Sequence, residues 1–356
     1  MLLRYLGPLK YGFTFSLPVL VALALVLQGY WTWAPLAYIF GLVPLLELLV
    51  PPDARNLSQA EEALRKEDRA YDWLIYLTVP LQYACVGWFL WLMKQGSLSA
   101  METAGAVTAL GLMCGTFGIN VGHELGHRRQ RFERRLAQAA LLTSLYTHFF
   151  IEHNRGHHKH VSTNDDPASA RRGEWVYAFW LRSTVGGYLS AWRLEAERLR
   201  KRGLPVASWH NEMIRLTLLQ TAWLVAIYLL AGPQAFGLYL MAAAMGFLLL
   251  ETVNYIEHYG LQRQRTARGG YERVQPHHSW NSDHVVGRLL LFELSRHSDH
   301  HYVASRKYQI LRHHQDSPQM PTGYPGMMLL SLLPPLWFAV MHPRIDALST
   351  PQTSAA

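Results

Sequence analysis

Cysteine and charge are both scarce in this sequence of 356 residues. Its only two cysteines, Cys85 and Cys114, each lie inside an apolar segment and form no Cys-x-x-Cys pair. A disulfide framework and a thiolate metal site are therefore excluded, and buried structural thiols are the favoured interpretation. Asp, Glu, Lys and Arg make up only 16% of the residues, against about 25% in soluble proteins. Half of the residues are hydrophobic, which is typical of a membrane protein with polar loops.

The net charge of +8 raises the question of nucleic-acid binding. In a chain with long uncharged segments, basic residues more commonly lie beside membrane spans and meet anionic lipid. We therefore predict a lipid bilayer as the environment and no nucleic-acid partner. No cleavable signal peptide is predicted, because a second apolar segment follows the first directly.

Four stretches contain no charged residue, and a spanning helix needs about 20 apolar residues. Two stretches are long enough for one span each. The other two are long enough for two spans each, with breaks at Gln28–Tyr30 and Ala231–Pro233. The sequence therefore predicts six spans, at about residues 11–28, 31–50, 73–93, 103–122, 214–231 and 234–253.

The basic residues predict the orientation of these spans. Six spans place three short loops on one face, at Gln28–Tyr30, Lys94–Glu102 and Ala231–Pro233. Only Lys94 of the 33 Lys and Arg lies in these loops, so the opposite face is predicted to be cytoplasmic. Both termini and all 18 histidines fall on that cytoplasmic side or at the span ends that face it.

The remaining segments predict a cytoplasmic cap. The apolar runs Leu136–Ile151 and Gly326–Met341 are too short to span, and Pro334-Pro335 is expected to break the second. A capping box of Ser58 and Glu61 predicts a soluble helix between the second and third spans, and Trp192–Arg202 predicts a basic amphipathic helix. We expect an all-α membrane protein, with one domain over residues 1–348 and a disordered tail at 349–356.

Histidines are concentrated in three clusters on the cytoplasmic side, with one more just after the last span. Surface histidines pair by chance, but three clusters at one membrane face are characteristic of a metal site. Nine candidate ligands are more than one ion holds. These ligands are His123, His127, His153, His157, His158, His258, His297, His300 and His301.

Helical spacing suggests how the ligands are divided. Residues three or four apart share one face of an α-helix, so His123 and His127 are expected to face one metal. His153 and His157 are expected to do the same, with His158 turned by about 100° toward a neighbouring site. The same pattern recurs at residues 297–301. Adjacent histidines preceded by a third, one turn earlier, therefore predict two metal centres.

The ligand type narrows the choice of metal. Imidazoles bind zinc, copper, iron or nickel, and structural zinc is satisfied by four ligands. Open positions and redox chemistry with O₂ favour two iron ions, cycling between Fe²⁺ and Fe³⁺. Metal-bound histidines usually donate their other N–H to a carboxylate, so the nearby acids are predicted to support the ligands, although direct ligation by one of them stays open. These acids are Glu124, Glu152, Glu257, Asp283 and Asp299.

The other nine histidines are interpreted as loop or hydrogen-bonding residues. They are His148, His160, His210, His277, His278, His284, His313, His314 and His342.

Four motifs resemble the bacterial integral-membrane alkane 1-monooxygenases, within the membrane desaturase and hydroxylase superfamily. Two are His-Glu-Leu-Gly-His-Arg (123–128) and Glu-His-Asn-Arg-Gly-His-His (152–158). The others are Asn-Tyr-Ile-Glu-His-Tyr-Gly (254–260) and Arg-His-Ser-Asp-His-His (296–301). Residues 276–282 and 321–326 look like further family segments. Membrane desaturases typically carry His-x₂-His-His twice, whereas the second cluster here is His-x₃-His-His.

The resemblance implies terminal hydroxylation of medium- or long-chain n-alkanes to 1-alkanols with O₂. It also implies a di-iron centre, the bacterial cytoplasmic membrane, and electrons from rubredoxin with rubredoxin reductase upstream. Rubredoxin holds its iron on four cysteines, and this chain has two. The electron donor is therefore expected to be a separate protein or a domain outside this sequence.

An alkane C–H bond has no polar handle, so acid–base chemistry alone does not activate it, and an oxidant generated at the metal is required. We accordingly predict no catalytic residue beyond the ligands. Terminal selectivity is expected to come from a narrow apolar channel that opens to lipid, with Ile39 and Phe40 of the second span as bulky stops.

Four alternatives remain from the sequence. His123-Glu124-Leu125-Gly126-His127 also fits the His-Glu-x-x-His motif of an intramembrane zinc protease, with Glu124 as general base. That reading leaves seven clustered histidines unexplained. A metal transporter is disfavoured because its site is expected near the membrane midplane. A xylene-type methyl monooxygenase and a membrane lipid desaturase or hydroxylase are the nearest rivals.

Overall fold

The computed structural model describes residues 7–349, and their regular structure is helical apart from two isolated β-bridges. The predicted tail lies outside the described residues except for its first residue. The main helices are α1 (Gly7–Leu27), α2 (Gly29–Leu49), α3 (Gln59–Glu67), α4 (Arg69–Gln95), α5 (Ala100–Gly126), α6 (Arg131–Leu142), α7 (149–160), α8 (Val176–Lys201), α9 (Glu212–His258), α10 (Val285–Leu290), α11 (His297–Tyr302), α12 (Tyr324–Ser331) and α13 (Pro334–Ser349).

Five helices in the described range are long and apolar enough to cross a membrane, namely α1, α2, α4, α5 and α9. The all-helical membrane architecture predicted from the sequence is thus confirmed. The helices extend a few residues beyond the predicted spans at most of their ends. The predicted number of six spans is not confirmed by this count, because α9 runs over 47 residues as one element.

Helix α9 folds back on itself near its middle. Gly232 has φ 85° and ψ 170°, a conformation that interrupts the helix and that glycine adopts most readily. Across this bend, Trp223 Nε1 donates a hydrogen bond to Tyr239 Oη at 2.8 Å. In a straight helix these residues would be about 24 Å apart. The contact therefore shows a helical hairpin, which supports two spans in α9, and the total of six stays a prediction.

The three short loops meet at one end of the bundle, as the predicted topology requires. The Gly29 amide donates to Glu102 Oε1 at 2.8 Å, which joins the first loop to the second. Lys94 Nζ donates to the Leu230 carbonyl at 2.8 Å, which joins the second loop to the third. Since the histidine clusters follow the other ends of α5 and α9, the site lies at the opposite end.

Helix α5 is the most buried of the five and packs closely against α9. A Cβ at Gly246 would lie 2.5 Å from Cys114 Cβ, so only glycine permits this approach. Small residues allow helix backbones to come together in membranes, where van der Waals packing replaces the hydrophobic driving force. Cys85 and Cys114 are buried, as the sequence predicted.

The cap follows most of the sequence predictions. The capping box of Ser58 and Glu61 begins α3. The amphipathic segment from Trp192 forms the second half of the longer helix α8. The run from Leu136 forms part of α6 and then turns into α7, and the run from Gly326 breaks before Pro334 to give α12 and α13.

Candidate metal centre

All nine predicted ligands come together in two adjacent groups, within each of which the potential ligand atoms lie no more than 4.8 Å apart. We call the groups site one and site two. Site one consists of His123, His127, His153, His158 and His300. Site two consists of His157, His258, His297 and His301.

In site one the Nε2 atoms converge in a continuous chain of contacts. His123 Nε2 is 2.9 Å from His300 Nε2, which is 3.1 Å from His158 Nε2. His158 Nε2 is 3.0 Å from His153 Nε2, which is 3.1 Å from His127 Nε2. Two imidazoles that bind one metal at right angles, each at ~2.05 Å, have nitrogens about 2.9 Å apart. The observed separations therefore fit the edges of a coordination polyhedron.

Hydrogen bonds alone satisfy this arrangement poorly. Each neutral imidazole Nε2 carries either one hydrogen or one lone pair. The Nε2 atoms of His153, His158 and His300 each contact two others, so donors and acceptors would have to be shared along the chain. A single cation accepts all five lone pairs, so these residues fit a metal ion.

Site two has a similar geometry and is more deeply buried. His297 Nε2 lies 3.2 Å from His258 Nε2. The Nε2 atoms of His157 and His301 are buried and have no hydrogen-bond partner in the described residues. Buried polar atoms without partners are rare in folded proteins. Four converging imidazoles, two of which have a buried Nε2 without a hydrogen-bond partner, again fit a metal ion.

A π-helix divides the second cluster differently from the sequence prediction. His153 and His157 were expected to face the same metal, and this expectation is wrong. Residues His153–His157 form a π-helical turn, whose hydrogen bonds join residues five apart. His153 and His158 therefore share site one, while His157 faces site two.

The third cluster uses ordinary α-helical spacing. His297 and His301, four residues apart on α11, share site two, whereas His300 faces site one. Adjacent histidines thus face different groups at both 157–158 and 300–301, as two metal centres would require, and the number of bound metals stays a prediction. The two sites are directly adjacent, since the ring centroids of His158 and His301 lie 4.5 Å apart.

Burial keeps most of these imidazoles neutral. Burial, followed by the mutual repulsion of neighbouring rings, lowers the pKa of His153, His300 and His301 well below the ordinary value. Burial likewise lowers the pKa of His158 to about 3. A neutral imidazole is the form that binds a metal, so this environment favours occupancy.

His157 is held differently by an acid that the sequence analysis missed. Burial alone would lower its pKa, but the nearby acids, Asp166 foremost, together outweigh this effect and raise it. Asp166 is buried and accepts from His157 Nδ1 at 2.8 Å, which leaves Nε2 facing site two. The only sequence signal is an Asp-Asp-Pro segment eight to ten residues after His157, and no helical spacing connects it to a histidine cluster.

Of the five predicted supporting acids, Glu257 reaches the site. Its Oε2 lies 3.1 Å from His297 Nε2, the nitrogen that converges with the other ligands. Its Oε1 accepts from Tyr324 Oη at 2.7 Å. Glu257 therefore lies beside site two itself rather than behind a ligand.

The other four predicted acids make no hydrogen bond to a candidate ligand among the described residues. Glu124 binds Arg128 at 2.7 Å. Glu152 lies one residue before His153, and its Oε1 has no partner in the described residues. Asp283 and Asp299 have hydrogen bonds to arginines and to the non-ligand histidines His313 and His314. Among the described residues, the hydrogen bonds of Glu124, Asp283 and Asp299 thus go to groups other than the nine histidines, which corrects their predicted supporting role.

Several of the remaining histidines are hydrogen-bonding residues, as predicted. His284 contacts Ser282, and His342 contacts Tyr259. His278 forms a part-exposed group with Glu272 and His277. Its Nδ1 accepts from the Gln275 amide and its Nε2 faces Glu272, so this group is satisfied without a metal.

An apolar cavity lies below the histidines, with an empty volume of about 700 Å³ including its mouth. Ile39 and Phe40 line it, as the predicted channel requires. Asn120, Val253 and Leu294 also line it, and each lies three to five residues before a candidate ligand. The cavity therefore leads toward the metal centre.

A second apolar groove shares Phe40, Leu249 and Met328 with this cavity. These three residues form the boundary between the two spaces. The groove is also lined by Trp180 and Met241, and Met241 is 60% exposed on the outer face of the bundle. The groove thus lies between the surrounding lipid and the apolar wall of the cavity.

Histidine clusters at one end of a membrane-helix bundle define a class of metal-dependent membrane oxidoreductases, and the comparisons agree. A family model described as fatty acid desaturase matches residues 99–331. Alkane 1-monooxygenase 2 of Pseudomonas aeruginosa is 42% identical over 319 residues, covering 89% of this chain and 85% of that protein. Alkane 1-monooxygenase of Ectopseudomonas oleovorans is 40% identical over 306 residues, covering 86% of this chain and 76% of that protein.

Another relative is named for a different substrate. The xylene/toluene monooxygenase hydroxylase component of Pseudomonas putida is 31% identical over 340 residues, covering 92% of this chain and 86% of that protein. The higher identities are those of the alkane enzymes. The chain belongs to the alkane 1-monooxygenase family.

The protease alternative is thereby excluded, and Glu124 is engaged by Arg128 rather than free to act as a base.

Proposed function

We propose that this enzyme hydroxylates the terminal methyl group of medium- or long-chain n-alkanes, using O₂ and two electrons from reduced rubredoxin, to give 1-alkanols. The observation that carries this proposal is the apolar cavity beside the two histidine sites, together with the apolar groove that adjoins it on the outer face of the bundle. A substrate without polar groups needs such a cavity, since no hydrogen bond or ion pair can position it.

The nine histidines are proposed to hold two iron ions, with five imidazoles at site one and four at site two. Bound iron supplies the redox chemistry with O₂ that cleavage of an unactivated C–H bond requires. Glu257, at 3.1 Å from His297 Nε2, is placed to complete the ligand set of site two. Asp166 fixes the ring of His157 so that Nε2 points inward.

The cavity walls supply position and exclude water. Leu249, Leu290 and Met328 surround the cavity, and few polar atoms line it. A chain that enters from the groove is confined along its length, so its end meets the metal centre first. Terminal selectivity follows from this confinement, because internal methylenes are held farther back.

Electrons are proposed to enter through site one. His127 and His158 are partly exposed, whereas all four histidines of site two are buried. The exposed Lys159 follows His158, and Arg263 donates to its carbonyl at 2.9 Å. This basic surface is suited to an acidic donor such as rubredoxin, with its reductase upstream. The site then faces the cytoplasm, in agreement with the positive-inside bias of the loops.

Ile39 and Phe40 are proposed to limit the length of the substrate. Ile39→Trp is expected to shift the product profile toward shorter alkanols, because the larger ring shortens the cavity. Leu42→Trp, at an exposed position on the same helix, is the matched control. The profile is measured with a mixture of n-alkanes, and an unchanged profile in Ile39→Trp would remove Ile39 from this role.

The function is tested with purified protein, reduced rubredoxin, its reductase and three substrate classes. We expect 1-alkanols from n-alkanes at the highest rate. Faster turnover of xylene to methylbenzyl alcohol would instead favour the activity named for the P. putida relative. Desaturated fatty acyl products without alkanols would contradict the proposal.

A further inference from the structure

A second pocket, distinct from the alkane cavity, lies where three membrane helices end on the histidine side of the bundle. It has an empty volume of about 830 Å³. Its cations come from the beginning of α1, from the segment after α2, from α3, from α10, and from the segment between α10 and α11. They are Lys10, Arg55, Arg65, Arg288 and Arg296. We call this the basic pocket.

The basic pocket carries an excess of positive charge. Only three carboxylates line it, those of Asp53, Glu61 and Glu293. Asp283, outside the lining, contacts Arg296 at 3.2 Å and adds a fourth. Five cations then face four carboxylates, so one positive charge is left over.

The ion pairs show which cations of the pocket are incompletely paired. Glu293 binds both Lys10, at 3.1 Å, and Arg288, at 2.6 Å, so one carboxylate serves two cations. Arg55 is paired with Asp53 at 2.8 Å. The Arg65 guanidinium has no hydrogen bond or ion pair to any described residue, and Glu61, one turn earlier on α3, is hydrogen-bonded to Ser58. All five N–H groups of Arg65 are therefore available.

An unused acceptor lies in the same pocket. Gln309 is 3% exposed and its Oε1 has no hydrogen-bond partner in the described residues, while its Nε2 donates to the Arg65 carbonyl at 3.1 Å. Leaving a buried acceptor without a donor is unfavourable. A ligand that carries both a negative charge and a hydroxyl group would satisfy Arg65 and Gln309 together.

Exposed leucines lie close to the pocket residues in the sequence. Leu9 precedes Lys10 and is 67% exposed, and Leu64 precedes Arg65 and is 62% exposed. Leu49, at the end of α2, is 72% exposed. A cationic pocket with exposed leucines near its residues in the chain fits an amphiphile, whose acyl chains cover the leucines while its head enters the pocket.

We propose that the basic pocket binds the headgroup of an anionic glycerophospholipid from the cytoplasmic leaflet, with the phosphodiester at Arg65 and a headgroup hydroxyl at Gln309. A phosphodiester carries one negative charge, which balances the excess. Basic pockets between membrane helices on the cytoplasmic side are suited to anionic headgroups. This site is separate from the metal centre and does not depend on the substrate.

The test is native mass spectrometry of the full-length protein released from nanodiscs that contain phosphatidylglycerol and phosphatidylcholine in equal amounts. We expect retained phosphatidylglycerol on the wild-type protein in preference to phosphatidylcholine. Arg65→Gln is expected to lower this retention about five-fold, the equivalent of ~1 kcal/mol per basic residue near an anionic surface. Lys66→Gln, which removes the same charge from the next, exposed residue outside the pocket, is expected to leave it unchanged.

Thermal unfolding in detergent gives a second readout. Phosphatidylglycerol is expected to raise the melting temperature of the wild-type protein and of Lys66→Gln by more than that of Arg65→Gln. Inorganic phosphate at the same concentration is expected to have no effect. An equal response to inorganic phosphate would overturn the lipid assignment. No preference for phosphatidylglycerol, or equal losses in the two variants, would overturn the site.

Discussion

At the scale of single residues, the two ring nitrogens of each candidate ligand histidine differ in their surroundings. The Nε2 atoms converge on the two sites, whereas Nδ1 is free for an outer partner. His157 has the clearest such partner, because Asp166 accepts from its Nδ1 and in turn accepts from Ser169 Oγ at 2.5 Å. Outer hydrogen bonds of this kind orient a ligand and increase its basicity.

Asp166→Asn should weaken metal binding at site two. Asparagine preserves the shape of the side chain and removes the negative charge beside His157. Loss of such a partner typically lowers metal affinity by about 10–100-fold. Iron retained during titration with a chelator is the measurement, and Asp165→Asn at the exposed neighbouring position is the control. Indistinguishable chelator curves for the two variants would show that Asp166 does not support the site.

Glu293 gives the fold a dependence on acid pH. Burial alone would raise its pKa, but Arg288 and Lys10 outweigh burial and hold the pKa at about 2. Since the folded pKa lies below the ordinary value of about 4.3, the carboxylate contributes its full stability above that value. The contribution, roughly 3 kcal/mol, is lost as the pH falls from about 4.5 toward 2.

Glu293→Gln is therefore expected to melt several degrees below the wild-type protein at pH 7. The difference should shrink at pH 3, where the wild-type carboxylate begins to take up a proton. Glu67→Gln, an exposed substitution of the same kind, is the control for general charge effects. A difference between Glu293→Gln and wild type that is constant from pH 7 to pH 3 would contradict this account.

Sequence reasoning selected the nine histidines and Glu257 but not the other residues that contact them. The clusters were visible because histidine is rare and its repeats are short. Asp166 and Tyr324 were not visible, because each reaches the site through a chain fold that brings distant segments together. Glu124 and Asp299 lie inside the motifs but contact arginines, so proximity in sequence was a poor guide to their role.

At the scale of helices, local irregularities place the ligands. The π-helix at His153–His157 turns His157 and His158 to different sites. Another at Cys114–Asn120 comes directly before His123 in α5. The sequence predicted both helices from their apolar or histidine content. It could not predict the π-turns, because no residue type in them distinguishes a π-turn from an α-turn.

The contact between α5 and α9 predicts a sharp difference between two glycines. Gly246→Ala places a methyl group against Cys114 and should cost about 1–3 kcal/mol through overpacking. Gly237→Ala, on the same helix with nothing within 4 Å of the new methyl, should be neutral or slightly stabilising. Thermal unfolding in detergent measures both. Equal melting temperatures would show that the helices separate without cost.

At the scale of the whole molecule, the two ends of the bundle differ in composition. Three short loops form one end, and nearly all the charge and all the histidines lie at the other. Charge-free runs of about 20 residues made the spans predictable. The sequence indicated that an apolar cavity was required but not where it lies; Ile39 and Phe40 line it, and their role in selectivity stays a prediction. The rest of its lining comes from helices that no sequence pattern brings together.

The exposed surface beside His158 should govern the reaction with the electron donor. Lys159→Glu is expected to raise the KM for rubredoxin several-fold at low salt, with a smaller change at high salt, because screening weakens the attraction. Lys201→Glu, at the end of α8, is the control with the same change in charge. Steady-state kinetics with rubredoxin as the varied substrate give both values. Equal KM values for the two variants would place the docking surface elsewhere.

The central claim is that adjacent histidines divide between two irons. It is tested most directly by iron analysis of purified wild-type protein, His300→Ala and His301→Ala. We predict two irons per chain in the wild type, with preferential loss from site one in His300→Ala and from site two in His301→Ala. Mössbauer spectra of the two variants should then show different residual irons. One metal per chain in the wild type, zinc in place of iron, or identical residual spectra in the two variants would contradict the account.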